Sequence, residues 1–275
     1  MPTSYLAKTP DVTGHIAYTA EEDAVWRDLV ARQLPNVRAH CAKPYLDGLQ
    51  LLDLPQTRVP QCSEVSQSLT ARTGWRVQPV PALISFGRFF SMLADQCFPA
   101  ASFIRARRDF DYIEEPDIFH EIFGHTPLLT DPRFAAFSQA IGHTGLRCDK
   151  ADYAWLIRLY WFSIEFGLTT EGEQIKALGS GLASSPTELL WAVSTGSHRP
   201  ERRPFDVIDI LRTPYRIDIH QPVYFVLSSL DDLFDAAGRD LLADIATARG
   251  LGLHAPKFAP KQPVPVPVPE SRAAS

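Results

Sequence analysis

Hydrophobic positions along most of the chain recur every three to four residues, the spacing of amphipathic helices, and capping residues mark several helix starts. Thr19 and Glu22 form a capping box before AVWRDLVARQL, and Pro35 is predicted to end that helix. Ser229 and Gly250 bracket a further helical pattern, LDDLFDAAGRDLLADIATAR. These signals predict a domain built mainly from α-helices.

Strand signals are few and short. Apolar or alternating runs occur at 75–80 (WRVQPV), at 174–178 (QIKAL), at 215–219 (YRIDI) and at 223–227 (VYFVL). Because helical patterns occupy most of the remaining sequence, the predicted fold class is mainly α with minor β.

The domain organisation follows from length and proline distribution. The 275 residues contain no internal repeat, and positions 1–255 are predicted to form one catalytic domain. Residues 256–275 include PKFAPKQPVPVPVPE, which favours polyproline II and is predicted to be a disordered tail. Since no heptad pattern follows Gly250, we expect a monomer.

Composition excludes several classes of protein. The formal net charge of −5 and the lack of a basic stripe argue against a nucleic-acid partner. No apolar run is long enough to span a bilayer and no secretory leader is recognisable, so we expect no membrane contact and a cytoplasmic location. Four widely spaced cysteines are expected to be buried, reduced thiols: Cys41, Cys62, Cys97 and Cys148.

The segment EPDIFHEIFGHTPLL carries two histidines, His120 and His125. Five residues on a continuous α-helix would turn the two side chains about 140° apart. We therefore expect the helix to end at Gly124, which frees His125 to turn back toward His120. A zinc-protease HExxH motif is excluded, because its second histidine would stand at position 124. Two ordinary histidines near a helix end are the alternative.

A carboxylate in an apolar helix is the third candidate ligand. Glu165 lies in ADYAWLIRLYWFSIEFGL, and a carboxylate in such surroundings must be protonated, paired or bound to a metal. A salt bridge to Arg158 is the structural alternative. Two histidines with one carboxylate suit Fe(II) with open positions, whereas a closed zinc site wants a fourth protein ligand.

Four segments together, PDIFHEIFGHTPLL, FAAFSQAIG, YWFSIEFGL and IKALGSGLASSPTEL, resemble the catalytic domain of the pterin-dependent aromatic amino acid hydroxylases. The likeness is strongest to bacterial members that act on phenylalanine, and it runs from about residue 75 to 230. It implies a monooxygenase of phenylalanine catabolism that converts L-phenylalanine to L-tyrosine with O₂ and a tetrahydropterin. It also implies Fe(II) held by His120, His125 and Glu165.

The resemblance implies further site residues. Arg105 matches an arginine that holds the substrate carboxylate, and a solvated basic cluster is the alternative. Ser184 matches a serine near the iron, or else is a loop hydroxyl. Tyr160 and Trp161 match aromatics that line the pocket, or else are plain core residues.

The pterin is expected to bind at PVPALISFGRFF, residues 79–90, with the ring of Phe89 stacked on it. Core packing is the alternative for Phe89. Glu121 matches an acidic residue near the pterin, and a carboxylate facing solvent is its alternative.

Other functions stay open at this point. Hydroxylation of tryptophan or tyrosine is the alternative within the family, because the shape of the pocket decides it. A zinc hydrolase with Glu121 as base, or a non-catalytic pterin or amino acid sensor, are the alternatives from other classes.

Overall fold

The computed structural model describes residues 5–81 and 84–260, and helices dominate this part of the chain. The α-helices are, in order, α1 (Ala20–His40), α2 (Lys43–Leu52), α3 (Cys62–Thr73), α4 (Phe86–Ala94), α5 (Pro132–Arg147), α6 (Tyr153–Tyr160), α7 (Ser180–Ser184), α8 (Pro186–Val193), α9 (Val207–Arg212), α10 (Asp231–Ala237) and α11 (Leu241–Leu251). Two π-helical turns, Phe119–His125 and Trp161–Glu165, stand between them. The prediction of a mainly helical domain is confirmed.

Six short strands form two small sheets. The strands are β1 (Arg76–Val80), β2 (Cys97–Ala101), β3 (Leu168–Glu171), β4 (Gln174–Ala177), β5 (Glu201–Pro204) and β6 (Val223–Leu227). β1 and β2 pair in parallel, with Val77 opposite Phe98. The second sheet has the order β4-β3-β6-β5, in which only β3 and β4 are antiparallel. The strands predicted at 75–80, 174–178 and 223–227 are confirmed.

Helix α1 begins as predicted but runs further. The Thr19 hydroxyl accepts a hydrogen bond from the Glu22 amide, and the Glu22 carboxylate accepts one from the Thr19 amide at 2.7 Å. The prediction that Pro35 ends the helix is wrong, because α1 continues to His40. Val37, beyond the proline, is fully buried, so core packing offsets the backbone hydrogen bond that Pro35 cannot make.

Two other local predictions are wrong. The pattern between Ser229 and Gly250 forms two helices, α10 and α11, because Asp240 caps a new helix by accepting from the Ala243 amide. Residues 215–219 form a bend rather than a strand. Within that bend the Arg216 guanidinium donates to the Asp218 carboxylate through two nitrogens, which closes the chain locally.

The beginning of the predicted tail packs on the domain. Lys257 forms an ion pair with Glu201 at 2.9 Å, and the Ala259 carbonyl accepts a hydrogen bond from Arg216. Residues 261–275 lie outside the described part of the chain, so the predicted boundary at 255 stays a prediction.

One apolar core holds the domain together. Its largest fully buried side chains include Trp26, Trp75, Tyr45 and Phe119, so aromatic packing from α1 to the first π-helical turn is continuous. All four cysteines are buried and unpaired, as predicted. Among the described helices, none is long and apolar enough to cross a membrane.

Candidate active site

The two histidines meet because the helix that carries them is wound more loosely than an α-helix. The expectation that it ends at Gly124 is wrong, because π-helical winding runs from Phe119 through His125. A π-helix hydrogen-bonds to the fifth residue, so residues five apart return to the same face. The Nε2 atoms of His120 and His125 lie 3.1 Å apart.

Glu165 reaches the same point from the second π-helical turn. The Phe166 amide donates to the carbonyl of Trp161, five residues earlier, at 2.9 Å. This turn presents Glu165 with Oε1 at 3.1 Å from Nε2 of His125 and Oε2 at 3.7 Å from Nε2 of His120. The alternative of a salt bridge to Arg158 is wrong: the Arg158 guanidinium lies over the ring of Trp155, 4.9 Å from its centroid.

The electrostatics keep His120 and Glu165 in the forms that bind a metal. Burial lowers the pKa of His120 to about 4, against the opposing effect of the Glu165 charge, so its imidazole is neutral at pH 7. Burial alone would raise the pKa of Glu165, but the two histidines and the Ser180 hydroxyl outweigh it and hold that pKa at about 2. Neutral imidazole and ionised carboxylate are the states that metals require.

Ser184 fixes the tautomer of His120. Its hydroxyl donates to the Ser180 carbonyl at 2.9 Å, which leaves its lone pairs to accept from Nδ1 of His120, also at 2.9 Å. With the proton on Nδ1, the lone pair of Nε2 points toward Glu165. Ser180 orients the carboxylate of Glu165, because its hydroxyl donates a hydrogen bond to Oε2 at 3.0 Å. Both serines therefore orient ligands.

Two glycines allow the helix with these serines to approach so closely. A Cβ at Gly124 would lie 2.8 Å from the Ser180 carbonyl oxygen, and a Cβ at Gly179 would lie 2.0 Å from that of Glu165. α7 consequently packs against both π-helical turns. Gly124 thus serves close packing, whereas the sequence suggested that it ends a helix.

Arg105 is buried and paired with a residue that sequence reasoning missed. Its Nε and Nη2 atoms donate to the two carboxylate oxygens of Asp117 at 2.8 and 2.9 Å, and both side chains are buried. Asp117 also accepts from the backbone amide of His120. The alternative of a solvated cluster is therefore wrong for Arg105. In sequence, Asp117 was visible only as an acidic residue in the first turn of the metal-bearing helix.

A cavity of about 210 Å³ opens beside the three ligands. Phe89, Glu121 and Tyr160 line it together with the ligands. The ring of Phe89 meets that of Tyr160 edge to face, with centroids 5.3 Å apart. Residues 82 and 83, within the segment expected to bind a pterin, lie outside the described residues.

Three other expected site residues are not among the residues that line this cavity. Ser184 contacts His120, and Arg105 contacts Asp117, which comes just before the turn with both histidines. Trp161 stacks on Tyr215 at 4.4 Å, and its indole N–H donates to Gln221. The structure therefore gives Trp161 a packing position beside the site.

Glu121 is a second carboxylate near the histidines. Its oxygen and one nitrogen from each of His120 and His125 lie within 4.8 Å of one another, and its side chain is buried, so the alternative of a carboxylate facing solvent is wrong. Burial, reinforced by the charges of Glu165 and Asp117, raises the pKa of Glu121 well above its usual value. Burial thus disfavours the ionised form of Glu121, the form that a metal ligand requires, so Glu165 is the better third donor.

The donor set fits one first-row metal ion. Two donors bound about 90° apart at ~2.1 Å lie ~3 Å from each other. Two of the three contacts between these side chains, at 3.1 Å each, match that spacing, and the third is longer at 3.7 Å. Two imidazoles and a carboxylate on one side leave the cavity side open to other ligands.

The helical fold and this site define a class of protein with a candidate metal centre of two histidines and one carboxylate at an aromatic cavity. The family model described as "Biopterin-dependent aromatic amino acid hydroxylase" matches residues 3–241. The chain belongs to this family. It is 48% identical over 260 residues to phenylalanine-4-hydroxylase of Vibrio cholerae. The alignment covers 94% of this chain and 89% of that protein.

Solved structures agree with the fold. The apo structure of the cold active phenylalanine hydroxylase from Colwellia psychrerythraea superposes with a TM-score of 0.89 and 46% identity, covering 92% of this chain and 98% of that one. The Chromobacterium violaceum phenylalanine hydroxylase with bound iron (III) and 7,8-dihydrobiopterin gives a TM-score of 0.83 and 34% identity, covering 92% and 90%.

Proposed function

We propose that this protein hydroxylates L-phenylalanine to L-tyrosine, with O₂ and a tetrahydropterin as co-substrates, at an iron held by His120, His125 and Glu165. One oxygen atom enters the aromatic ring and the other leaves on the pterin as a 4a-hydroxypterin. The observation that carries the proposal is the convergence of three ligand atoms at one wall of an aromatic cavity. Family membership supports it.

The protein's contribution is to place and shield the reactants. Iron and pterin together supply the chemistry that activates O₂. His120, His125 and Glu165 hold one face of the metal, while Ser184 and Ser180 orient their side chains. The apolar cavity wall keeps water from the reacting atoms.

Phe89 and Glu121 suit a pterin. The Phe89 ring lies on the cavity wall and offers a face to a flat heteroaromatic ligand. Burial favours the protonated form of Glu121, which can donate as well as accept a hydrogen bond at the polar edge of such a ring. We assign both residues to pterin binding.

Arg105 and Tyr160 suit the amino acid substrate. Asp117 binds the Nε and Nη2 atoms of Arg105. The Nη1 atom forms no hydrogen bond within the described residues, so it is free to donate to a substrate carboxylate. Tyr160 lines the cavity, and Trp161 stacks on Tyr215. We assign Arg105 to the substrate carboxylate and the aromatic residues to the shape of the pocket.

The test is turnover of the iron-loaded protein with tetrahydrobiopterin and ¹⁸O₂. We expect L-phenylalanine to give tyrosine with one ¹⁸O atom, with one pterin oxidised per O₂ consumed. Parallel reactions with L-tryptophan and L-tyrosine test the alternative within the family, and faster hydroxylation of either would overturn the assignment to phenylalanine. The zinc hydrolase and sensor alternatives lose their support, because the chain belongs to a family of hydroxylases.

The assembly state and the cellular location stay predictions from the sequence: we propose a cytoplasmic monomer. Light scattering of the purified chain should give a mass near 30.7 kDa. A tetramer, or sigmoidal kinetics in phenylalanine, would contradict the monomer.

A further inference from the structure

A second cavity of the described domain is lined by none of His120, His125 and Glu165. It has a volume of about 370 Å³ and stands between α1 and α2, with Leu34, Leu46, Leu49 and Phe123 on its apolar wall. Ligand-binding pockets in proteins have volumes of about 300 to 1,000 Å³ and are mostly apolar with few polar groups. The cavity therefore has the size and the lining of a small-molecule site.

Two opposite charges at this cavity have no partner. Arg38, near the end of α1, and Asp53, immediately after α2, both line it and are exposed to solvent. Neither side chain forms a hydrogen bond or an ion pair within residues 5–81 and 84–260, although other arginines on α1 do, such as Arg27 and Arg32. A cation and an anion on one apolar cavity complement a ligand that carries both charges.

We propose that this cavity is a second binding site, for a small apolar zwitterion. The ligand's carboxylate pairs with Arg38, its ammonium pairs with Asp53, and its apolar body covers the leucines. A free aliphatic amino acid and a short aliphatic peptide share this chemistry and differ in the spacing of their charges. Nothing in the proposed hydroxylation uses Arg38 or Asp53, so this proposal does not rest on that function.

The wall of this cavity is connected to the metal site. Phe123 belongs to the π-helical turn Phe119–His125, two residues before a proposed metal ligand. Its carbonyl accepts a hydrogen bond from the Tyr45 hydroxyl at 2.5 Å, and its ring stacks on Phe119 with centroids 4.9 Å apart. A ligand in the cavity would thus contact the same helical turn that holds both histidines.

Calorimetric titration of the iron-loaded protein tests the site. The probes are L-leucine and L-leucyl-L-leucine, which separate the two sources by charge spacing, with N-acetyl-L-leucine and L-leucinamide as forms that lack one charge. The variants are Arg38→Gln and Asp53→Asn. Asp53 has a left-handed backbone with φ of 44°, which asparagine also tolerates, so both variants should fold.

We expect L-leucine, L-leucyl-L-leucine or both to bind at one site per chain beyond any binding at the catalytic site. Each variant should weaken this binding about threefold or more. N-acetyl-L-leucine lacks the ammonium, so its affinity for Asp53→Asn should be no lower than that of the zwitterion. L-leucinamide lacks the carboxylate, so its affinity for Arg38→Gln should likewise be no lower than that of the zwitterion. The matched surface variants Arg72→Gln on α3 and Asp235→Asn on α10 should bind like the parent protein. Absence of binding up to about 10 mM, or binding that neither Arg38→Gln nor Asp53→Asn changes, would overturn the proposal.

Discussion

The carboxylate of Asp117 holds the guanidinium of Arg105 through two parallel hydrogen bonds of 2.8 and 2.9 Å, with both side chains buried. Asp117→Asn would leave the buried guanidinium without its counter-charge. We expect the free energy of unfolding to fall by about 3 kcal/mol. We also expect the KM for phenylalanine to rise, because Arg105, which we propose binds the substrate carboxylate, loses the partner that holds its guanidinium in place. Urea unfolding and steady-state kinetics measure the two effects.

The matched control is Asp111→Asn. Asp111 pairs with Arg32 at 2.7 Å, but its side chain is 94% exposed. The loss of this pair should change the free energy of unfolding by under ~1 kcal/mol. An equal decrease in the free energy of unfolding of Asp117→Asn and Asp111→Asn would contradict the claim that burial makes the Arg105–Asp117 pair the more stabilising one.

Ser184→Ala removes the acceptor that fixes the tautomer of His120. The imidazole would then be free to place its proton on Nε2, the atom that faces Glu165. We expect the affinity for Fe(II) to drop by about 10- to 100-fold, as measured by competition with a chelator. Ser185→Ala, which removes only the cap of α8, should leave this affinity unchanged. An unchanged affinity in Ser184→Ala would contradict the orienting role.

Gly124→Ala should destabilise the fold. Its new Cβ would approach the Ser180 carbonyl oxygen to 2.8 Å, and backbone must move to relieve the contact. We expect a loss of about 2 kcal/mol in thermal or urea unfolding. Gly250→Ala, in α11 with nothing within 4 Å of the added Cβ, should be neutral or gain up to ~1 kcal/mol.

Glu188 should make the stability of the protein depend on pH. Its carboxyl is buried and accepts hydrogen bonds from the Gln221 amide and the Tyr224 hydroxyl. Burial raises its pKa above the ordinary value of 4.5. The folded state therefore holds this proton more tightly than the unfolded chain, so unfolding free energy must fall as pH rises above about 4.5 toward the raised pKa.

Glu188→Gln removes that titration. The free energy of unfolding of Glu188→Gln minus that of the parent protein should increase between about pH 4.5 and pH 7. Glu173→Gln, at an exposed position, serves as the control and should give a difference that does not depend on pH. A flat difference for Glu188→Gln would show that the carboxyl titrates alike in both states.

Local signals predicted local structure well. The capping box of Thr19 and Glu22 depends on side chains three residues apart, and it appears in the structure as the sequence indicated. Pro35 failed as a helix end because burial of α1 decides its length, and burial is a property of the whole fold. Residues 215–219 alternate like a strand, but a strand needs a partner, and Arg216 binds Asp218 instead.

The candidate site was predictable in its residue types and less so in its geometry. His120, His125 and Glu165 stood out because a metal needs these donors, and the structure brings them together. The π-helical turn that unites the two histidines packs against α7, a contact between distant segments that no local spacing reveals. The role of Asp117 was invisible for the same reason, because its partner Arg105 comes from a different segment.

The central claim is that His120, His125 and Glu165 bind the iron, while the nearby Glu121 does not. Iron per chain, measured by mass spectrometry after reconstitution and desalting, tests it most directly. We expect about one iron in the parent protein and in Glu121→Gln, and almost none in His125→Ala and Glu165→Ala. Stoichiometric iron in Glu165→Ala, or its loss in Glu121→Gln, would contradict the account.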